Sequence, residues 1–291
     1  MKRVLIFGSD SFTGKHLISY LKKHSYRVDG TSLNPKNNEL KCDITKKEEI
    51  KEILKTIQPD FIINLSAISF VAHSNNEDFY KINTIGAINI LEICQELNIN
   101  PKKIILASSA TIYGNQNKEL LDESLCPKPV NHYGCSKLSM EHIASTFFEK
   151  LNIIITRPFN YTGIGQSENF LIPKIIKHFK ENKKEIELGN LDVIREFNDI
   201  NFVCEAYKRL LETPHKSVIV NIASNRGIKL LDIIEMMNKI AGYKIKVKIN
   251  PKFVRKNEIK SLTGSNELLF KLIGKINQKD FFETLKEMYE N

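Results

Sequence analysis

Five short apolar runs rich in β-branched residues, "RVLIFG", "YRVDGTS", "DFIINLSA", "KKIILASS" and "NIIITRPFN", alternate with longer segments over the first 160 residues. No other feature constrains the fold as strongly. A continuous Ile, Val and Leu run has no polar face, so it suits a strand buried on both sides, and such strands belong to parallel sheets covered by helices. Between the runs lie "GKHLISYLKKH", "KKEEIKEILKTI", "NTIGAINILEICQELN" and "YGCSKLSMEHIASTFFEKL". Each repeats its apolar residues at intervals of three and four, the stripe a helix needs to pack on a sheet. Strand, helix and strand in repetition imply right-handed crossovers and an α/β, doubly wound parallel sheet.

Beyond Asn160 the order loosens. "FLIPKIIKHFKEN" and "DINFVCEAYKRLLET" read as helices, "SVIVNIAS" as a late strand, and "KLLDIIEMMNKIAG" followed by "KIKVKIN" as a helix and strand of a smaller α/β region. There is no internal repeat, low-complexity tract or linker. The expected division is therefore one domain over residues 1–160, to which 197–222 returns, and a second over 161–196 and 223–291. A chain of 291 residues suffices for a full core.

The bulk properties exclude more than they assign. The net charge of +9 comes from 43 basic and 34 acidic residues scattered without a block, which suits either an anionic ligand or a solvated lysine surface. No basic stripe with interleaved aromatics points to nucleic acid. The apolar run near the N-terminus stops after four residues, too short for a signal-peptide core or a membrane span, so a cytoplasmic location and no membrane partner are expected. Cys42, Cys94, Cys126, Cys135 and Cys204 form no C-x-x-C pair, and their odd number suits reduced thiols. Neither they nor the seven histidines show metal-type spacing, so no metal is expected.

"GSDSFTG" follows the first run. Gly8 and Gly14 hold the ends of a dinucleotide-loop frame whose middle glycine is Ser11. The first glycine of such a loop makes the tight turn, the second admits the pyrophosphate and the last lets helix pack on strand, so only the second role is altered. Backbone amides from Ser11 to Gly14, with Phe12 and Thr13 between, open a helix whose N-terminus favours an anion. A plain strand-to-helix turn has the same sequence. The second strand should end near Ser32, where no acid stands to hold a ribose; Asp29 lies inside the strand. Ser32 leaves room for a 2′-phosphate, so NADPH is the expected cofactor, with NAD as the alternative. Asp43 in "KCDIT", beside Ile44, either accepts from an adenine amino group or caps the next helix.

"YGCSK" sets Tyr133 and Lys137 four apart, on one face of a helix. A phenol with a pKa of about 10 needs a nearby cation to act near neutrality, and Lys137 would be that cation. Upstream, "ILASSATIYG" ends the fourth buried run in Ser108 and Ser109, at the edge where doubly wound sheets bind ligands.

The glycine loop, "ASSATIYG", "NHYGCSK" and "RPFN", in this order, resemble the extended short-chain dehydrogenase/reductase family that acts on nucleotide sugars. The resemblance covers nearly the whole chain and implies a Rossmann-like fold with the sugar nucleotide mostly in the smaller region. It makes Ser109 the catalytic serine, Tyr133 the proton donor or acceptor and Lys137 also a holder of the nicotinamide ribose. It adds Leu65, Ser66, Ala67 and Pro158 to the cofactor site. The 4,6-dehydratases of the family need an acid pair just after the catalytic hydroxyl; Ala110 and Thr111 stand there, so dehydration is not expected. Downstream, "TRPFNYTGIGQSENFLIPKII" is similar to reductases of GDP-4-keto-6-deoxymannose and related 4-keto-6-deoxy sugars, which serve polysaccharide biosynthesis. That similarity places Ser69, Thr111 and Asn160 by the sugar, Arg195 and Arg255 on the diphosphate and Glu258 on the nucleotide ribose, although Lys256 replaces the usual proline. Pro158 and Asn160 as a turn, and Arg195 as a surface ion-pair residue, remain open. A 4-epimerase with retained NAD would share the same catalytic residues. Segments 83–97 and 133–150 carry apolar residues on more than one face, which by the resemblance suits a homodimer and equally suits burial in one chain.

Overall fold

The computed structural model describes residues 1–36, 39–70, 73–254 and 258–291. Its main sheet is built from β1 (Arg3–Phe7), β2 (Arg27–Ser32), β3 (Leu40–Lys41), β4 (Phe61–Asn64), β5 (Lys103–Ala107) and β6 (Ile153–Pro158). β7 (Tyr161–Thr162), β8 (Glu185–Leu188), β9 (Ile194–Glu196) and β10 (Asn198–Asp199) follow outside it, and β11 (Val218–Ile222) returns to it. The order is β11-β6-β5-β4-β1-β2-β3, all parallel. The chain leaves β1 toward β2 and β3 on one side and resumes at β4 on the other, which opens a crevice at the strands' C-terminal ends.

Strand periodicity splits the apolar runs between two cores. Leu5, Phe7, Ile62, Ile104, Leu106, Ile153 and Ile155 face one side, under α2 (Lys47–Ile57), α4 (Ala87–Glu96) and α5 (His132–Ser145). Val4, Ile6, Phe61, Ile63, Ile105 and Ile154 face the other, under α1 (Phe12–Lys23) and α7 (Ile200–Glu212). The segment read as one helix from residue 83 begins earlier. A single turn, α3 (Asn76–Asp78), runs into a π-helix over Phe79–Gly86 and then into α4. Within the described residues no helix is long and apolar enough to cross a membrane.

A third core joins α6 (Leu171–Lys180), α8 (Leu230–Ala241) and α10 (Phe281–Glu290) through Ile175, Phe179, Ile233, Met237 and Leu285. Around it β8 pairs with β13 (Lys246–Ile249), and β9 lies between β12 (Gly227–Lys229) and β14 (Ser261–Leu262). α9 (Glu267–Ile273) does not join this core: Leu269 and the following Ile276 pack beside α7 on the main sheet.

Candidate active site

Most of the residues singled out by sequence lie along the C-terminal edge of the main sheet. β1 ends just before Gly8, β2 at Ser32, β3 shortly before Asp43 and Ile44, β4 before Leu65, Ser66 and Ala67, β5 before Ser108 and Ser109, and β6 at Pro158.

The glycine turn shows why Ser11 is tolerated. Gly8 has φ +79°, and a Cβ there would stand 2.7 Å from the Ser66 amide nitrogen. On Gly14 a Cβ would meet the carbonyl oxygens of Gly8 and Ser9 at 2.6 Å. Ser11 sits at φ −64° and ψ 162°, ordinary backbone for any residue, and its Oγ accepts from the Gly14 amide at 3.0 Å as the N-cap of α1. The first turn of α1 holds no acid. A backbone pressed this closely on Leu65 and Ser66, followed by a helix N-terminus with no acid in its first turn, fits a pyrophosphate. Thr13 Oγ1 and Tyr161 Oη are 2.7 Å apart, and Phe12 stacks on the same Tyr161, tying this turn to β7.

Ser32 is buried, and its hydroxyl donates to Glu39 at 3.3 Å. Asp29 is inside β2, where Arg3 Nε donates to it at 2.6 Å. Asp43 does not cap α2, whose N-cap is Lys46; its carboxylate closes a turn by accepting from the amide and hydroxyl of Thr45 at 2.9 and 2.7 Å. Ile44 is buried, against Gly86 of the π-helix.

Ser109 caps a 3₁₀ turn over Ala110–Tyr113. Its Oγ accepts from the Thr111 amide at 3.2 Å and from the Thr111 hydroxyl at 2.9 Å, so both lone pairs are filled and its own hydrogen is left to donate. It lies beside the phenol of Tyr133 and favours its ionised form. Asn131 caps α5 by accepting from Gly134, which starts the helix one residue before Tyr133. Burial pushes the Tyr133 phenol up to about 12, against the opposing influence of Ser109. Lys137, one turn on, is also buried and donates through Nζ to the Ala107 carbonyl at 2.6 Å. Burial pushes its ammonium down to about 8, with Glu141 acting in the opposite direction.

Several residues that hold this set escaped the sequence reading. Asn83 in the π-helix accepts from Ile68 N at 2.8 Å and donates to Ile68 O at 3.1 Å, which fixes the loop between Ala67 and the exposed Ser69. The same amide donates to Ser136 Oγ at 3.1 Å, and Thr84 Oγ1 donates to Ser136 O at 2.8 Å, so consecutive residues grip α5 between Tyr133 and Lys137. Behind α5, Arg157 pairs with Glu141 at 2.7 Å and donates to Tyr113 Oη at 2.9 Å, all three buried. Only "INTIG" and "KLSME" could have signalled these contacts, and neither looks unlike an ordinary helix.

The sugar-side residues are more dispersed. Asn160 is half-buried just past β6, and its carbonyl accepts from Asn198 N at 2.8 Å. Arg195 on β9 donates through Nη2 to Glu258 Oε1 at 2.7 Å, so these two form an ion pair in this structure. Arg255 lies outside the described residues.

A doubly wound sheet with a glycine turn at its switch point and Ser, Tyr and Lys on the neighbouring strand and helix defines an extended short-chain dehydrogenase/reductase. The family model described as GDP-mannose 4,6 dehydratase matches residues 5–288, and the chain belongs to that family. Among relatives, the GDP-6-deoxy-D-talose 4-dehydrogenase of Aggregatibacter actinomycetemcomitans is 36% identical over 99% of this chain and 97% of its own length. The GDP-6-deoxy-D-mannose reductase of Pseudomonas aeruginosa is 27% identical over 94% and 91%. A putative epimerase from Burkholderia cenocepacia J2315 superposes with a TM-score of 0.93 at 36% identity, covering 99% of this chain and 97% of that one. RMD from Pseudomonas aeruginosa, solved with NADPH, superposes at 0.87 with 25% identity, covering 100% and 97%.

Proposed function

We propose that this protein is an oxidoreductase that reduces the C4 keto group of a nucleotide-linked 4-keto-6-deoxy sugar, GDP- or dTDP-linked, with NADPH or NADH, in deoxysugar biosynthesis for surface polysaccharide. The observation that carries the reading is the buried Tyr133 phenol, influenced by Ser109 at the end of β5 and one helical turn before a buried Lys137. The named activities of the relatives favour a GDP-linked substrate. Ala110 and Thr111, which follow Ser109, carry no carboxylate, so the acid pair that dehydration needs is missing there.

The chemistry a bound dinucleotide supplies is the hydride that goes to C4. Gly8, Ser11, Phe12, Thr13 and Gly14 would hold its pyrophosphate, with Leu65, Ser66, Ala67 and Pro158 along the nicotinamide side and Ser32, Asp43 and Ile44 at the adenosine end. Tyr133 keeps its proton at neutral pH and gives it from Oη to the carbonyl oxygen as negative charge builds there. Ser109, its lone pairs taken by Thr111, donates its hydrogen to the same oxygen. The Lys137 cation stabilises the phenolate left behind. Ser69, Thr111 and Asn160 would face the sugar, and Arg195, Arg255 and Glu258 the diphosphate and ribose of the nucleotide. Arginine's planar fork suits the former.

A 4-epimerase with retained NAD is the second reading, favoured by the superposition on a putative epimerase. Incubation with NADPH or NADH and a panel of GDP-, dTDP-, UDP- and CDP-linked 4-keto-6-deoxy sugars tests both. Loss of reduced cofactor absorbance with one of them supports the reductase; with the corresponding 4-hydroxy sugars added to the panel, conversion to the C4 epimer without cofactor consumption supports the epimerase. We also propose the two-domain division given above, with 267–276 packed on the dinucleotide side. A cytoplasmic homodimer completes the reading, joined through the helices that expose Ile85 and Ile143.

A further inference from the structure

We propose that Glu39 makes the enzyme select the unphosphorylated cofactor, NAD(H), over NADP(H). This rests on the reading that the edge of the main sheet binds a nicotinamide dinucleotide. Strand β2 ends at Ser32 without an acid, yet the chain supplies one on its way into β3. Glu39, half-buried just before Leu40, turns its carboxylate back over the tip of β2. Oε1 accepts from Ser9 Oγ at 3.0 Å, and Oε2 from Ser32 Oγ at 3.3 Å and from the Lys36 amide at 2.8 Å. Ser9 belongs to the glycine turn, its amide bonded to Thr31 O at 2.9 Å, so the carboxylate stands between the turn and the end of β2. In doubly wound sheets that is where the adenosine ribose lies.

Two consequences follow from the bonding. A carboxylate accepts at about four lone-pair positions; the Ser32 hydroxyl and the Lys36 amide engage two, and the single Ser9 hydrogen is shared between Glu39 and the Thr31 carbonyl at 3.1 Å, which leaves room for a ribose hydroxyl to donate. A 2′-phosphate has no hydrogen to give at neutral pH in its dianionic form, brings like charge against the carboxylate, and finds the Ser9 and Ser32 hydroxyls and the Lys36 backbone amide already turned toward Glu39. Discrimination by a fixed like charge of this kind acts against one partner while leaving the other untouched.

The test is direct binding to the full-length protein, without turnover. NADH and NADPH are titrated by nicotinamide fluorescence, and ADP and adenosine 2′,5′-bisphosphate by calorimetry, on the natural protein and on Glu39→Gln. The expected result is NADH bound at least roughly tenfold tighter than NADPH, with the same order for the two adenosine probes. Glu39→Gln keeps the size and an acceptor oxygen, and should narrow both ratios by about tenfold through a gain for the phosphorylated ligands. Equal or tighter binding of NADPH by the natural protein, or ratios unchanged in Glu39→Gln, would overturn the assignment of Glu39 while leaving the dinucleotide site standing. Binding of neither dinucleotide would overturn both.

Discussion

Replacing Gly8 by Ala is the sharpest perturbation of the dinucleotide turn, and its size follows from two terms. A residue with a Cβ held at φ +79° is in the left-handed region, which costs roughly 1–2 kcal/mol. The Cβ would also stand 2.7 Å from Ser66 N and 2.9 Å from Leu65 C and Ser66 Cα, all backbone, so β1 and β4 must separate at their ends. Overpacking of this kind costs about 1–3 kcal/mol. The sum, roughly 2–5 kcal/mol, corresponds to a fall in Tm of about 3–8 °C for a protein of this size. Ser11→Gly is the control: with φ −64° nothing is relieved, and loss of the cap to Gly14 costs only a few tenths of a kcal/mol. Thermal unfolding by circular dichroism and fluorescence titration of the reduced cofactor measure both variants. Ser11→Gly should bind cofactor as well as or better than the natural protein and Gly8→Ala much less well. A Gly8→Ala protein that melts within about 1 °C of the natural one and binds cofactor normally would refute the claim that this turn presses on Leu65 and Ser66.

Glu141→Gln leaves the buried Arg157 cation without its counterion and should destabilise by about 3–5 kcal/mol in urea titration, far more than substitution of an exposed pair. Asn83→Ala frees Ile68 and Ser136 together; it should lower kcat/KM by about tenfold or more with a Tm loss of only a few degrees, as read by steady-state kinetics and melting in parallel. For keto reduction, kcat/KM should be flat near neutrality and fall as pH rises through about 8, because Lys137 loses its charge there while Tyr133 stays protonated to about 12; a pH profile from 6 to 10 shows which limb appears.

The main sheet was legible because its signal is composition over several residues: Ile62, Ile63, Ile104, Ile105 and Ile154 admit no solvent face, and the structure buries all of them. Ser109, Tyr133 and Lys137 were legible because short motifs set them at the end of one strand and the start of the next helix. What escaped has no local signature. Strands β7, β9 and β10 are two or three residues long, too short for an alternation to register, and α9 is seven residues with its apolar side on a distant helix. The π-helix is invisible to periodicity, since "FYKINTIG" meets the ordinary helical stripe, and so the double grip of Asn83 and Thr84 on α5 was not expected. Glu39 has no local signature either: the acid beside Ser32 comes not from the tip of β2 but from the loop entering β3.

In the proposed reaction Tyr133 gives a proton to a C4 carbonyl oxygen while a bound cofactor is consumed. The most direct measurement is the stoichiometry of reduced-cofactor oxidation against product formed with GDP-4-keto-6-deoxymannose, in the natural protein and in Tyr133→Phe. The account predicts one cofactor oxidised per sugar reduced, and in Tyr133→Phe a loss of at least about a hundredfold in kcat with cofactor binding retained. Product formed without net cofactor oxidation, or a Tyr133→Phe enzyme with unchanged kcat, would contradict it.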